Sequence, residues 1–178
     1  VDLPLQRQID AQGDWKDIEL KRGSSSVMFA SVNSHPAPGF YISTDDGATW
    51  TRTTTGAPTT LGNHRFALTD ADPNLILWAI ATSNGTQQGI WKSTDGGASF
   101  AQVFGNGNHY SNQGWYDLTI EIHPTNPNNC WSGGVNFYRS TNGGTGWTQF
   151  APSIHVDHHA TAFAPSNPNI FYVGSDGG

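Results

Sequence analysis

One octapeptide occurs three times along this 178-residue chain, and the repeat is the feature that most constrains its fold. The copies begin at Ser43, Ser93 and Ser140 and read STDDGATW, STDGGASF and STNGGTGW. Their first residues are 50 and then 47 residues apart. Self-similarity at a period of about 40–50 residues is typical of repeat architectures, in which each repeat is one supersecondary unit. The chain is therefore predicted to be built from equivalent units of this size.

The composition of the octapeptide predicts a hairpin turn with no chemical role. Its Asp or Asn side chain can accept backbone N–H bonds across a turn, and its glycines adopt positive φ at little steric cost. The terminal aromatic residue is expected to turn inward and anchor the hairpin, and Asn142 to make the same turn contacts without the charge. The positions assigned this structural role are Ser43, Asp45, Gly47, Trp50, Ser93, Asp95, Gly97, Phe100, Ser140, Asn142, Gly144 and Trp147.

A second repeat lies out of phase with the first. Pro-Asn segments lie around Pro73, Pro127 and Pro168. Before each segment is a stretch that alternates apolar and polar residues, and after it is a further apolar run. Because period two is typical of half-buried strands, each unit is predicted to hold four strands, with the Pro-Asn segment as the first turn. This predicts an all-β fold, a β-propeller of four-stranded antiparallel blades, with about three and a half blades present. The predicted blades are residues 15–52, 63–104 and 114–150, followed by a half-blade at 155–178.

Composition excludes several other classes of protein. Three lysines and two glutamates are too few for the surfaces of a helical bundle. The net charge of -6 and the scattered basic residues argue against a nucleic-acid partner, which requires clustered Lys and Arg. The longest strongly apolar run, residues 75–81, is too short to span a bilayer. Cys130 stands alone, so the chain is not a disulfide scaffold.

The three octapeptides resemble the Asp-box, or BNR repeat, Ser-x-Asp-x-Gly-x-Thr-Trp. That repeat occurs in bacterial sialidases, xyloglucanase-type glycoside hydrolases, sortilin-like receptor ectodomains and many secreted bacterial propellers. The stretch from Gly114 to Gly144, followed by residues 155–160, also resembles a subgroup of large secreted bacterial BNR proteins described as glycosyl hydrolase-like. The resemblance implies an extracellular, multi-bladed protein and does not by itself imply a reaction.

Two carboxylates are candidates for acid–base chemistry. Asp117 and Asp157 lie near the starts of corresponding strands in consecutive units, where the fold could bring them together. Glycoside hydrolysis needs two carboxyl groups roughly 5–9.5 Å apart. The resemblance to xyloglucanases implies two aspartates from different blades in an inverting mechanism. The alternative is that Asp117 makes an ordinary hydrogen bond at a strand end.

The densest polar cluster is His155-x-Asp157-x-His159. If these residues lie on one strand, their side chains share a face and could converge on a metal ion, with a further ligand or water completing the site. Two other interpretations remain open at this stage. The innermost strands of a propeller line a polar channel, where His and Asp bond to backbone and water, and the cluster could also take part in catalysis.

The connection from Gly105 to Gly114 is rich in amide and hydroxyl groups and lies beside Tyr110, Trp115 and Tyr116. Flat aromatic faces next to polar groups suit sugar rings, so these three residues are candidates for glycan binding. The alternative is that the aromatic side chains pack within the blades.

The sequence therefore favours a secreted or cell-surface propeller module that recognises a glycan or an extracellular protein. The alternative is a glycoside hydrolase with Asp117 and Asp157 as acid and base, and the balance leans away from an enzyme. Since three and a half blades cannot close a ring, we expect either a fragment of a longer protein or a second chain that completes the propeller.

Overall fold

The computed structural model describes residues 13–34, 36–105 and 107–178, and all regular structure in these ranges is β-strand. The strands form four antiparallel sheets. They are β1 (Trp15–Leu20), β2 (Met28–Val32), β3 (Gly39–Ser43), β4 (Thr51–Arg52), β5 (His64–Thr69), β6 (Asp72–Ala81), β7 (Gln87–Ser93), β8 (Ala101–Phe104), β9 (Thr119–Ile122), β10 (Cys130–Gly133), β11 (Phe137–Ser140), β12 (Thr148–Gln149), β13 (His158–Ala164) and β14 (Asn167–Ser175).

Each sheet is a meander whose strands pair in chain order. Sheet 1 is β1-β2-β3-β4, sheet 2 is β5-β6-β7-β8, sheet 3 is β9-β10-β11-β12, and sheet 4 is the pair β13-β14. The fourth strands of sheets 1 and 3 contain only two residues each, which limits the exposed backbone at the sheet edges. The predicted all-β class and four-stranded antiparallel units are confirmed.

The prediction that the Pro-Asn segments are turns is wrong for sheet 2. The turn before β6 is formed by Asp70 and Ala71, and Pro73 lies within β6. In sheet 4 the first two residues of the predicted segment, Pro165 and Ser166, do form the turn, and Pro168 lies in β14. Proline is tolerated at both places because it stands at the second residue of its strand, next to a register irregularity in the pairing with the preceding strand.

The three octapeptides join the third and fourth strands of sheets 1 to 3 through one hydrogen-bond pattern. Ser93 Oγ accepts the Gly97 N–H at 2.9 Å and donates to Asp95 Oδ1 at 2.7 Å, and Asp95 Oδ1 accepts the Ser99 N–H at 2.9 Å. Asn142 makes the equivalent bonds through its side-chain oxygen, at 2.8 Å from Ser140 Oγ and 2.9 Å from the N–H of the residue four positions on. The amide oxygen therefore replaces the carboxylate without loss of these contacts.

Sheets 1 to 3 stack face to face, and β6 supplies the centre of the stack. Alternate residues of β6 point to opposite faces, as period two requires. Leu75, Leu77, Ala79 and Ala81 pack in one core with residues of sheet 3, among them Leu118, Ile120, Ile122 and Cys130. Ile76, Trp78 and Ile80 pack in a second core with Phe29 and Phe40 of sheet 1. Sheet 2 is thus covered on both faces.

The first strands of successive sheets lie next to one another. β1 contacts β5, β5 contacts β9, and β9 contacts β13. Their exposed sides line a cavity of about 220 Å³ whose walls include polar and charged side chains. Asp17, Glu19, Arg65, Glu121 and His159 are among them. The first strands of the four sheets therefore line one cavity, and the candidate site lies where β9 and β13 begin.

Candidate functional site

The strand-end site comprises Trp115, Tyr116, Asp117, Asp157, His159 and Asp176. Three pieces of chain supply these residues: the segment entering β9, the segment entering β13 together with the start of that strand, and the turn that leaves β14. β13 and β14 are antiparallel and pair His158 with Ser175, so the end of β14 lies beside the start of β13. The Asp176 N–H consequently donates to the Asp157 carbonyl at 3.2 Å. Pairing within sheet 4 therefore brings these two aspartates together.

Backbone bonds to sheet 3 fix the segment that enters β13. The Asp157 N–H donates to the Val135 carbonyl at 3.4 Å, and both the backbone N–H and Nδ1 of His158 donate to the Gly134 carbonyl, at 2.9 and 2.7 Å. Asp157 has a φ of 63°, in the left-handed region that a non-glycine residue seldom occupies. This conformation interrupts the strand geometry immediately before His158.

The interruption corrects the predicted metal site. His155 and Asp157 precede β13 and do not alternate on a strand with His159, so the assumption behind the ligand set does not hold. His155 is exposed, and its Nδ1 donates to the Val156 carbonyl at 2.8 Å. In residues 13–34, 36–105 and 107–178, no three His, Cys, Asp or Glu side chains are arranged to hold a metal ion.

Asp117 is fully buried next to Asp157. Its backbone N–H donates to the Gln113 carbonyl at 3.0 Å, but neither carboxyl oxygen has a hydrogen-bond partner of regular geometry within the described part of the chain. Burial, together with the adjacent Asp157 carboxyl, raises the pKa of Asp117 to about 7 against a smaller opposing effect of His159. Asp157 Oδ1 is also buried without such a partner. The structure thus brings the two predicted carboxylates together.

Asp176 connects the remaining polar groups. His159 Nε2 donates to Asp176 Oδ1 at 2.6 Å, and the Tyr116 hydroxyl donates to Asp176 Oδ2 at 3.4 Å. The Tyr116 and His159 rings meet edge to face, with centroids 4.6 Å apart. The charge of Asp176, with contributions from Asp157 and Asp117, raises the pKa of Tyr116. The Tyr116 hydroxyl therefore contacts one carboxyl group and lies within the electrostatic influence of two others.

Trp115 and Tyr116 present the exposed surface of the site. Their rings are 5.6 Å apart, and 61% and 49% of the two residues remain accessible. The Tyr116 N–H donates to the Gln113 carbonyl at 2.7 Å, which closes the turn that carries both rings. This turn packs against Gly85 in the loop between β6 and β7, where a Cβ atom would come within 2.6 Å of Trp115 Cδ1. The two rings form a supported, solvent-facing aromatic surface.

Tyr110 does not belong to this surface, which corrects its assignment as a glycan-binding residue. It is fully buried and packs in the core shared by sheets 2 and 3. A Cβ atom on Gly134 would lie 2.6 Å from Tyr110 Cδ1, so the absence of a side chain there makes room for the ring. Burial raises the pKa of Tyr110. Tyr110 is a packing residue.

A separate apolar cavity of about 570 Å³ lies between sheets 3 and 4. Its walls include Trp131 and Phe137 from sheet 3 and Phe163 and Phe171 from sheet 4. The Trp131 and Phe171 rings are 4.9 Å apart. None of the six strand-end residues lines this cavity, so the strand-end site and the apolar cavity are distinct features.

Sequence reasoning did not identify Asp176 as part of the site. Its sequence context, Ser-Asp-Gly-Gly, resembles the start of another turn, and the local pattern carries no sign of its partners. The only available signal was topological: a hairpin of β13 and β14 returns the chain to the level of Asp157.

Comparisons with known proteins agree with this architecture. No protein-family model matches the chain, and no curated protein sequence matches it significantly. Among solved structures, an ancestral GH74 enzyme superposes with a TM-score of 0.65 at 21% identity, over 96% of this chain and 23% of that one. The GH74 xyloglucanase of Xanthomonas campestris gives a TM-score of 0.62 at 16% identity, over 89% and 26% of the two chains. YCF48 bound to D1 peptide gives 0.60 at 15% identity, over 92% and 51%.

These similar structures are β-propellers, and the present chain is a partial β-propeller of the same design. The predicted propeller fold is confirmed. Sequence identities of this size show the fold alone. The chain spans about a quarter of the length of the two GH74 enzymes and about half of YCF48. In the described residues no helix is long and apolar enough to cross a membrane.

Proposed function

We propose that this chain is a recognition module of an extracellular propeller protein and that it binds a glycan at the strand-end site. The observation that carries the proposal is the pair of solvent-facing rings, Trp115 and Tyr116, next to the polar groups of His159 and Asp176. Sugar rings combine apolar C–H faces with hydroxyl groups, and such a surface meets both. Exposed aromatic side chains held in place by the fold are characteristic of binding sites.

The similar structures are consistent with such a role. They include a GH74 xyloglucanase and YCF48 bound to D1 peptide. Propellers of this design thus occur both in enzymes that act on glycans and in a protein that binds a peptide. The octapeptides further support placing this chain among the Asp-box propellers, many of which are secreted.

Substitution of Trp115 tests the proposal. We expect Trp115→Ala to weaken binding to the oligosaccharide ligand at least about tenfold, which corresponds to about 1.4 kcal/mol, because a solvent-facing ring held in place by the fold is lost. The measurement is isothermal titration of the full chain with xyloglucan, cellulose, chitin and chitosan oligosaccharides. Tyr172→Ala is the matched control, since Tyr172 is also 61% accessible but lies on β14 away from the site. If no oligosaccharide binds the intact chain, or if both variants bind equally, glycan recognition at this site is refuted.

A second candidate function, glycoside hydrolysis, is favoured by one observation. Asp117 has a pKa of about 7 and lies beside a second carboxyl group, and a carboxyl group that keeps its proton near neutral pH is suited to general acid catalysis. However, the Asp117 oxygens are buried away from solvent, whereas a general acid must reach the leaving-group oxygen. Binding is therefore the better-supported function.

Hydrolysis has its own test. Release of reducing ends from xyloglucan and other β-glucans by the intact chain, lost in both Asp117→Asn and Asp157→Asn, would establish the hydrolase and displace the binding-only function. Absence of product over prolonged incubation, with oligosaccharide binding retained, would exclude it.

A further inference from the structure

We propose that sheets 3 and 4 form a docking surface for a β-hairpin of another polypeptide, with a turn of the octapeptide type. The hairpin adds to the free edge of β14, and its turn rests on Trp131 and Arg139 in the apolar cavity between the two sheets. None of the strand-end residues lines this cavity, so the inference is independent of the proposed glycan binding.

The octapeptide turns of sheets 2 and 3 each rest on the preceding sheet. The turn of sheet 2 contacts sheet 1, where Thr53 Oγ1 donates to the Gly97 carbonyl at 2.6 Å. The turn of sheet 3 contacts sheet 2, where Lys92 Nζ donates to the Gly143 carbonyl at 3.2 Å and Leu77 packs against the same turn. Two interfaces inside the molecule therefore show how a sheet receives such a turn.

Sheet 3 carries the same receiving positions as sheet 2. In sheet 2, Leu77 pairs with Lys92, the residue before the octapeptide serine of β7. In sheet 3, Trp131 pairs with Arg139, the residue before the octapeptide serine of β11. The first pair holds the turn of sheet 3, whereas the second pair faces the apolar cavity. In the described structure no octapeptide turn rests on the second pair.

Arg139 and Trp131 also keep unused hydrogen-bond donors. Arg139 lies 5.4 Å from the centre of the Trp131 ring, and its Nη2 donates to Asn129 Oδ1 at 3.3 Å. Arg139 Nε and Trp131 Nε1 are buried without an acceptor in the described ranges, and no described Asp or Glu lines the cavity. Buried donors without acceptors are costly. The surface therefore favours an occupant that brings oxygen acceptors, as the Gly143 carbonyl does for Lys92.

Asn169 indicates the register of the docked turn. The start of β14 repeats a local structure of sheets 2 and 3, in which a side-chain oxygen accepts the N–H of an asparagine two residues later: Asn74, Asn128 and Asn169, at 3.0, 3.2 and 3.0 Å. The carbonyls of Asn74 and Asn128 accept the N–H of the fourth octapeptide residue, Gly96 and Gly143, both at 2.9 Å. Asn169 lines the cavity, and no octapeptide N–H of the described residues reaches its carbonyl. The fourth residue of the docked turn therefore lies at Asn169.

The free edge of β14 is suited to a further strand. In sheets 1 to 3 the second strand pairs on both sides, whereas β14 pairs with β13 alone in the described structure. Its residues Asn167–Ser175 include no charged side chain, so the edge lacks the charges that commonly prevent strand addition. Extended peptides bind such edges through backbone hydrogen bonds. Phe171 and Val173 border the cavity, so an added hairpin also covers apolar surface.

The octapeptides of this chain are themselves already bound, which is why the occupant is another polypeptide. In the first copy the Asp46 N–H donates to the Ser26 carbonyl of sheet 1 at 3.1 Å, and the other two copies are held at Asn74 and Asn128. A hairpin meets both the Arg139 donors and the β14 edge. A small molecule in the cavity would leave the β14 edge unpaired.

The experiment uses a cyclic peptide of residues 90–104 as the probe, which covers part of β7, the second octapeptide and β8. Ile90 and Phe104 are paired in sheet 2, so a D-Pro-Gly link between them closes the hairpin. The labelled peptide is titrated with the unmodified chain and followed by fluorescence anisotropy. The control peptide carries Gly97→Val, because Gly97 has a φ of 85° that a β-branched residue disfavours. We expect the control peptide to bind at least about tenfold more weakly.

Arg139→Met and Lys92→Met separate the cavity from the equivalent position inside the molecule. Both replace a cation by an apolar side chain, but Lys92 already holds the turn of sheet 3. We expect Arg139→Met to weaken binding of the peptide at least about threefold and Lys92→Met to leave it unchanged, with near-native circular dichroism in both. Equal binding by the two variants overturns the inference.

Hydrogen exchange locates the bound peptide on the unmodified chain. We expect saturating peptide to slow exchange of the β14 amides at least about tenfold and to leave β1 unchanged. Unchanged exchange in β14, equal binding of the two cyclic peptides, or no binding of a peptide whose hairpin is confirmed by NMR overturns the inference. Self-association of the chain that the peptide does not displace also overturns it, because the surface then belongs to a second copy.

Discussion

Burial changes the protonation of single side chains in this molecule, and Asp117 is the main example. A carboxyl group loses its hydration when it is buried, so its neutral form is favoured unless donors or cations compensate. Asp45 illustrates the opposite case, since hydrogen bonds from Thr49 and Ser43 lower its pKa to about 2 at an exposed turn. The same residue type therefore holds its proton near neutral pH at the site and is fully ionised in the octapeptide.

Asp117 should make the stability of the chain depend on pH. Its pKa rises from the ordinary 3.8 to about 7 on folding, so the folded chain binds more protons than the unfolded chain between these values. Stability contributed by this group is present at low pH and is lost as pH rises from about 4 to about 7. We expect Asp117→Asn to remove this loss and to stabilise the chain by at least about 1 kcal/mol near pH 8, or roughly 2–4 °C in Tm.

The measurement is thermal unfolding of Asp117→Asn and the unmodified chain across about pH 4 to 8. The titratable groups that interact with Asp117 include Asp157, His159, Tyr116 and Tyr110, and they are common to both proteins. Asp46→Asn controls for the change in net charge. A stability difference that is the same at both ends of the pH range would contradict the assignment.

At the scale of elements, the octapeptide turn is formed by one repeated set of side-chain hydrogen bonds. Its serine accepts a glycine N–H and orients the Asp or Asn, which in turn caps the N–H four residues further on. In the first and third copies the tryptophan Nε1 also donates to a glycine carbonyl of its own turn, at 3.1 and 3.0 Å. Side chains of the same eight residues thus bond several backbone groups of each turn. The N–H of the fourth residue instead donates to a carbonyl outside the turn, as Gly96 does to Asn74 and Gly143 does to Asn128, both at 2.9 Å.

The buried serine should be the most sensitive position of this turn. Ser93→Ala removes the acceptor of the Gly97 N–H and the donor to Asp95, so we expect a loss of about 1–3 kcal/mol in the free energy of unfolding. Chemical denaturation measures the loss. Thr94→Ala is the control, because Thr94 is the exposed neighbour in the same turn, and it should change stability by less than about 0.5 kcal/mol. Equal effects of the two substitutions would show that the serine bonds do not stabilise the turn.

Features that depend on local sequence were predictable, and features that depend on distant pairing were not. The octapeptides and the alternation in β5, β9 and β13 are local, so they predicted the units and their strands. The residues around Tyr110 have the composition of a binding loop. The burial of Tyr110, however, depends on the space left by Gly134. Asp176 joins the site only because β14 returns to the start of β13. The positive φ of Asp157 places this residue outside the strand that contains His159. It likewise could not be predicted from the local sequence.

At the scale of the whole molecule, the sheets differ in how much of their surface is covered. The residues of β6 from Leu75 onward are buried, because sheets 1 and 3 cover both of its faces. No residue of β14 is fully buried, and Ile170 and Tyr172 are exposed on it. Since burial of apolar surface provides most of the stability of a sheet, sheet 4 is the least stabilised of the four in the described structure.

This gradient should appear in amide hydrogen exchange. Local opening free energies range from near zero in poorly packed segments to the global value in the core. We therefore expect the amides of β14 to exchange at least about tenfold faster than those of β6, as followed by mass spectrometry of peptides covering each strand. The contrary result, equal protection of both strands, would mean that another surface covers sheet 4 in solution. Repeating the exchange after dilution distinguishes the cause: protection of β14 that falls at low concentration would identify a second copy of the chain as the cover. Protection that is independent of concentration would instead show that sheet 4 is stable without a partner.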